Sequence, residues 1–470
     1  MSRTTMIRPV NPQPARSTMP WGRLRVILLV ALLVGLGFPA SLLAAPPSAP
    51  ANFAVTIEGG FVVFSWEASP EADVASYQLN FSGAASGLLD VGKRTSFSYV
   101  PPPTLGGGFR FSIAAVTSAG EASPPSNEVS FSFPADLPRF VGAEACARCH
   151  EQKVNDWRVS GHPYKLMPAR EARNRPIPLP AGFTWDDISY VIGGYKWKAR
   201  FMGLDGFIIT RTGADRDVPG KNQYNLENNT WSDYEPGVQK PYDCGSCHTT
   251  GFSEILNQDG RPGIKGTWVS GGITCENCHG AGSRHAASGD PTAITKDSSA
   301  TLCGRCHTRG AADSIPASGG FIRHQEQNNE FQASPHANAG LQCVTCHDPH
   351  KKAVFSITRT CESCHSQQAQ DFTGSAMQRL GVRCQNCHMP KAMKSAIKVK
   401  DYVGDVQSHL VRINPEVTAQ MFTADGLQAN NAITLEFACL SCHADRDKEW
   451  AALNVQGIHA LGKESTAMAR

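Results

Sequence analysis

Cys343-Val344-Thr345-Cys346-His347-Asp348-Pro349-His350 is the stretch from which the rest of the chain can be read. Its first five residues form C-x-x-C-H, which in a protein made outside the cytoplasm reads as covalent attachment of a c-type haem. The two thiols add across the two vinyl groups of the porphyrin, and the intervening pair of residues gives the reach for both thioethers. The adjacent histidine is carried round to the iron. His350 lies beyond it and cannot turn back to the other face of the same haem, so as a ligand it serves a neighbouring one. The octapeptide implies a haem, its axial ligand and a second haem packed beside it.

The motif occurs eight times in the 470 residues. The thiol pairs are Cys146 and Cys149, Cys244 and Cys247, Cys275 and Cys278, Cys303 and Cys306, Cys343 and Cys346, Cys361 and Cys364, Cys384 and Cys387, and Cys439 and Cys442. The proximal histidines that follow are His150, His248, His279, His307, His347, His365, His388 and His443. All 16 cysteines are used, leaving none for a disulfide, a thiol nucleophile or an iron–sulfur cluster. Zinc ribbons and thioredoxin-like pairs also use C-x-x-C, but neither needs a histidine after every second cysteine. Eight covalently bound c-type haems are expected.

The first 45 residues carry five arginines, no acid, and an apolar run from Val26 to Ala45. This is the pattern of an export signal, cut near Ala45, with an uncleaved membrane anchor as the alternative for so long a run. Residues 46–135 lack cysteine and histidine. They alternate apolar and polar residues over Phe61–Trp66, Tyr77–Phe81 and Phe109–Val116, separated by Gly59-Gly60, Ser69-Pro70, Gly106-Gly107-Gly108 and Pro124-Pro125. Such short strands predict an antiparallel β-sandwich. With Trp66, Tyr77 and the ending Ala115–Ser126, the segment resembles a fibronectin type III domain. It departs at Phe109, where a tyrosine often stands, so the ring can fill its pocket without the hydroxyl's hydrogen bond.

Residues 136–470 belong to the haems, with motif starts 98, 31, 28, 40, 18, 23 and 55 residues apart. Short gaps leave little chain for a protein core. The fold class is therefore multidomain: a fibronectin-like all-β sandwich followed by a haem-packed domain of loops and short helices. In the long first gap, Ile188–Phe201 and Phe207–Thr210 read as a small β-element.

Of 15 histidines, eight lie in motifs, leaving His162, His285, His324, His336, His350, His409 and His459 as candidate distal ligands. Neutral imidazole on both faces is the ligation by which haem electron carriers reach low potential. Seven cannot complete eight irons, even if identical subunits exchange them. At least one iron must stay five-coordinate or take methionine, lysine or another ligand, and only there does the sequence invite catalysis.

Residues 141–443 resemble the exported multihaem cytochromes related to cytochrome c554. The resemblance is carried by Val141–Cys146 through Trp157 and His162, by Cys275–Gly280 with His285, and by Cys343–His350. In the tetrahaem relative the second haem in sequence lacks a distal protein ligand. The resemblance thus implies an open iron at His248, with Cys244 and Cys247. This chain departs in having eight motifs, so haem order need not map.

The formal charge is +3, and the sandwich holds seven acidic and three basic residues. Haem propionates add further negative charge, which makes Lys196, Lys198 and Arg200 propionate partners rather than a nucleic-acid patch. The expected role is electron transfer along closely packed, mostly bis-histidine haems in the periplasm or at the exterior of a bacterium. Redox proteins (other cytochromes or quinol-linked donors) are the expected partners, with membrane contact only through an N-terminal anchor. Two other readings stand beside it: a reductase or oxidase of small nitrogen or sulfur compounds at the open iron, and a self-assembling cytochrome filament.

Overall fold

The computed structural model describes residues 45–460 apart from Pro103. The segment read as an export signal lies outside them, save Ala45. No described helix is long and apolar enough to cross a membrane.

The sandwich has seven strands: β1 (Ala51–Glu58), β2 (Phe61–Glu67), β3 (Val74–Gly83), β4 (Gly87–Gly92), β5 (Ser96–Tyr99), β6 (Gly108–Thr117) and β7 (Val129–Ser132). One sheet runs β1-β2-β5 and the other β4-β3-β6-β7, all antiparallel. The period-two pattern explains which faces meet. Val62, Phe64 and Trp66 of β2 point inward, as do Tyr77 and Leu79 of β3 and Phe109, Phe111, Ile113 and Ala115 of β6. Phe109 stacks on Phe111 and is buried without a hydroxyl, while the Tyr77 hydroxyl accepts the Ser69 backbone N–H at 3.0 Å.

The sandwich is packed against the cytochrome segment. Ile255 joins its apolar core, Phe61 meets Phe140 edge-on at 5.5 Å, and the Ser98 N–H donates to Glu254 at 3.3 Å. Gly60 has φ +98°, and a Cβ there would fall 2.6 Å from Ala281 and 2.9 Å from the Pro138 carbonyl oxygen. Only glycine permits that approach.

Beyond β7 the chain enters helix α1 (Ala143–Arg158), which carries the first motif, and then a seven-stranded sheet. The sheet is built around β8 (Leu166–Pro168), β9 (Ile188–Gly193), β10 (Lys198–Gly203) and β11 (Phe207–Ile208), with short strands between residues 223 and 241. It is larger than the sequence pattern suggests, because strands of two or three residues leave no periodicity to read. Two apolar clusters flank it, one with Met167, Val191, Ala199 and Phe201, the other with Leu166, Met202, Tyr242 and Trp268. Another joins Ile322, Met393, Leu410, Ile433 and Phe437. Side-chain cores thus form where gaps between motifs are long. The short-gap stretches 275–310 and 340–390 contribute to none of these clusters, as expected.

Candidate functional site

Most motifs sit on single helical turns, such as Cys275–His279 and Cys384–His388. A turn presents both thiols on one side and lets the histidine leave the helix end. None of the 16 cysteines forms a disulfide.

The motif thiols adjoin one another in an order that differs from the sequence. Cys146 lies against Cys275, Cys303 against Cys343, and Cys247 against Cys306. Cys278 lies near Cys303, Cys346 near Cys364, Cys361 near Cys384, and Cys387 near both Cys439 and Cys442. The motifs starting at Cys146, Cys275, Cys303, Cys343, Cys361, Cys384 and Cys439 therefore form a row. The motif of Cys244 branches from that of Cys303.

Five motif histidines face a second imidazole. His150 faces His285 at 6.1 Å between ring centroids, and His279 faces His350 at 6.2 Å. His365 faces His336 at 6.0 Å, His347 faces His409 at 6.2 Å, and His388 faces His459 at 6.1 Å. Such separations leave room for one metal ion with a nitrogen about 2 Å away on either side. Several rings are also held by Nδ1, which leaves Nε2 free to ligate. His279 Nδ1 is 2.8 Å from the Thr295 carbonyl oxygen, His285 Nδ1 2.8 Å from that of Asp290, and His307 Nδ1 2.9 Å from Gln327 Oε1. His347 Nδ1 is 3.0 Å from Ser356 Oγ and His350 Nδ1 2.8 Å from Asp348 Oδ1. His388 Nδ1 lies 2.9 Å from the carbonyl oxygen of Val411. Val411 has φ +54°, a costly conformation for a β-branched residue, and it turns that carbonyl toward the ring. The residues fit axial ligation of haem.

The remaining candidates differ. A ring nitrogen of His162 donates to the Pro349 carbonyl, and the ring lies beside His307. His324 lies near His248 among the same cations, and its Nε2 is 3.3 Å from Arg309 Nη2. Trp450 packs against His443 at 4.9 Å.

His248 is in none of these five ring pairs, His324 is the distal candidate near it, and the His248 Nδ1 is buried without a partner among the described residues. Burial, reinforced by Lys165, Arg309, Arg200 and Lys198, depresses its basicity to a pKa of about 3. Those four cations converge from separate places. Lys165 precedes β8, Lys198 and Arg200 stand on β10, and Arg309 follows His307. Arg200 lies 3.3 Å above the Tyr234 ring and donates to Gln223 at 2.9 Å. Lys198 donates to the Ser395 carbonyl at 2.5 Å, and Arg309 Nε to that of His324 at 3.1 Å. Burial, then Arg200, brings Lys198 down to about 7. Burial, then Lys198 and Arg309, brings His324 to about 2, so its imidazole is neutral at physiological pH. Lys198 and Arg200, expected as propionate partners, both stand near His248. Lys165 and Arg309 carry no signal in the sequence that could have singled them out.

Residues 217–280, which contain His248 and His279, match the family described as cytochrome c554 and c-prime. The dissimilatory sulfite reductase MccA of Wolinella succinogenes is 23% identical over 338 residues. The chain is similar to multihaem cytochromes, and its residues 217–280 to the cytochrome c554 family. That alignment covers 52% of this cytochrome and 46% of MccA, so it spans about half the length of the curated relative. The solved structure of Wolinella succinogenes octahaem MccA superposes with a TM-score of 0.50 at 18% identity, covering 64% of the cytochrome and 65% of MccA. The outer cell wall cytochrome OcwA gives 0.44 at 18% identity, covering 67% and 86% of the two chains. A Fn3-like protein from Clostridium thermocellum matches over 19% of the cytochrome and 96% of its own length, at 19% identity and a TM-score of 0.17.

Proposed function

We propose that this exported cytochrome carries eight c-type haems and delivers electrons to the iron of His248, where a small oxyanion of sulfur or nitrogen is reduced. The observation that carries this reading is the setting of His248: it is in none of the five ring pairs, Lys165, Lys198, Arg200 and Arg309 gather around it, and the nearby His324 turns Nε2 to Arg309. Four half-buried cations with few acidic neighbours suit an anion better than any other small ligand. The relative named a sulfite reductase supports the same substrate class.

Haem supplies the one-electron redox chemistry and the metal at which a small ligand can bind. The chain's residues do the rest. His285, His350, His336, His409 and His459 would hold five of the haems and keep outside ligands away, and His162 would help hold the haem of His307. The cations draw the anion in and hold its oxygens, with Arg309 and Arg200 offering planar forks and Lys198 a point charge. The row of motifs would space the haems for electron transfer, with a branch at Cys303 toward His248. Donor proteins meet the row at its ends, near Cys146 and Cys439. Plain conduction is the second reading, and the same experiment separates the two.

Electron paramagnetic resonance of the oxidised holoprotein tests this directly. A high-spin ferric signal from a minority of haems, diminished on adding sulfite or nitrite, is the expected result. A spectrum that is low-spin throughout and indifferent to both anions would leave the protein a conductor.

Lys198 sets the expected pH dependence. Its folded pKa of about 7 lies below the ordinary lysine value, so the charge is present below pH 7 and lost as pH rises through it. With nitrite, which does not titrate in this range, the apparent KM should climb toward about tenfold per unit above that point. Lys198→Arg, which stays charged, should flatten the profile. A wild-type profile level from pH 6 to 9 would refute the assignment.

A further inference from the structure

The second half of the octapeptide touches ligands of several irons. Asp348 Oδ1 accepts the backbone N–H of His350 at 3.1 Å and lies 2.8 Å from its Nδ1. Oδ2 takes Lys153 Nζ, from α1, at 3.1 Å. The Asp348 N–H donates to the Ser356 carbonyl at 2.7 Å, which fixes the turn whose Ser356 hydroxyl meets His347. The Nδ1 anchors of the paired or motif rings are otherwise neutral: carbonyl oxygens for His279, His285 and His388, an amide for His307, a hydroxyl for His347. Among the described residues, His350 is the one imidazole whose partner is a carboxylate. Asp348 is itself largely shielded, with 14% of its side chain exposed, so water screens the interaction little.

We propose that Asp348 sets the reduction potential of the centre between His279 and His350 and holds it below its neighbours in the row. A carboxylate that accepts the Nδ1 proton draws the ring toward imidazolate. Donation from Nε2 then strengthens, and the ferric state is favoured. Lys153 tempers the effect by sharing the carboxylate's charge. The two residues therefore act in opposite directions on one centre. Asp348 is a positioning and tuning residue, since it works through His350. The inference rests on His279 and His350 as an axial pair and not on any chemistry at His248.

The test is a spectroelectrochemical titration of the full-length holoprotein, with haem content and spin state checked alongside. In Asp348→Asn, one haem's share of the amplitude should leave the low-potential end. Its reduction equilibrium should move about tenfold, equivalent to about 59 mV for a one-electron couple. In Lys153→Met, the same share should move lower. An Asp348→Asn protein with its full haem complement, low-spin at this centre and titrating as wild type overturns the proposal. Should that variant lose a haem or turn high-spin there, Lys153→Met decides, because it leaves ligand and carboxylate in place. A downward shift then upholds the proposal, and an unmoved titration overturns it. Failure of the anion-site reading would instead appear in the resonance experiment with sulfite and nitrite.

Discussion

Replacing Arg309 by leucine should lower kcat/KM for sulfite or nitrite reduction by about 10²–10³-fold, with eight haems still bound. The magnitude is that of removing one preorganised donor from a site where charge develops on oxygen. Arg309 is favoured over the other three cations because its guanidinium is already aimed. Nε donates to the His324 carbonyl at 3.1 Å and Nη2 lies 3.3 Å from His324 Nε2, so the fork is fixed before any anion arrives. Arg309→Lys keeps the charge and loses the fork, so it should recover binding more than turnover. Steady-state assays with a reduced viologen as donor would separate KM from kcat. Unchanged kcat/KM in the leucine variant would remove Arg309 from the site.

Trp66→Ala should cost about 3–5 kcal/mol in the β-sandwich, the range for truncating a large buried aromatic. Trp66 is 5% exposed and packs on Phe53, Tyr77 and Phe97 at centroid distances of 6.4, 5.4 and 6.2 Å. A cavity at the centre of so small a core has few side chains free to collapse into it. The haem spectrum should stay unaltered below the transition, because no sandwich residue stands at a motif. Denaturant unfolding followed by far-ultraviolet circular dichroism and by haem absorbance would show it. An unshifted midpoint would mean that Trp66 is not the keystone its contacts suggest.

Legibility in the sequence tracked how local each signal is. A haem motif is complete within five residues, so all eight can be read without a structure. Strands β2, β3 and β6 are long enough to show a period of two, whereas the two-residue strands beside β10 are not. Facing pairs such as His150 with His285 lie far apart along the chain, and nothing near either one names its partner. The deficit of distal histidines was a matter of counting and was legible. The surroundings of His248 were not, because Lys165, Lys198, Arg200 and Arg309 come together only through the sheet and the turn after His307. His324 shows the limit of residue type as a signal, since its two neighbours, His248 and the Arg309 guanidinium, come together only in the fold.

The branching of the thiol contacts has a consequence for how such a molecule handles charge. If the motif of Cys244 adjoins the row only through that of Cys303, chemistry at His248 is a siding rather than a stop on the main line. Current could run from one end of the row to the other while the siding stands idle. When substrate arrives, the row becomes a reservoir that discharges stored electrons in quick succession. A reaction needing several electrons could then finish without waiting for the donor to return between steps.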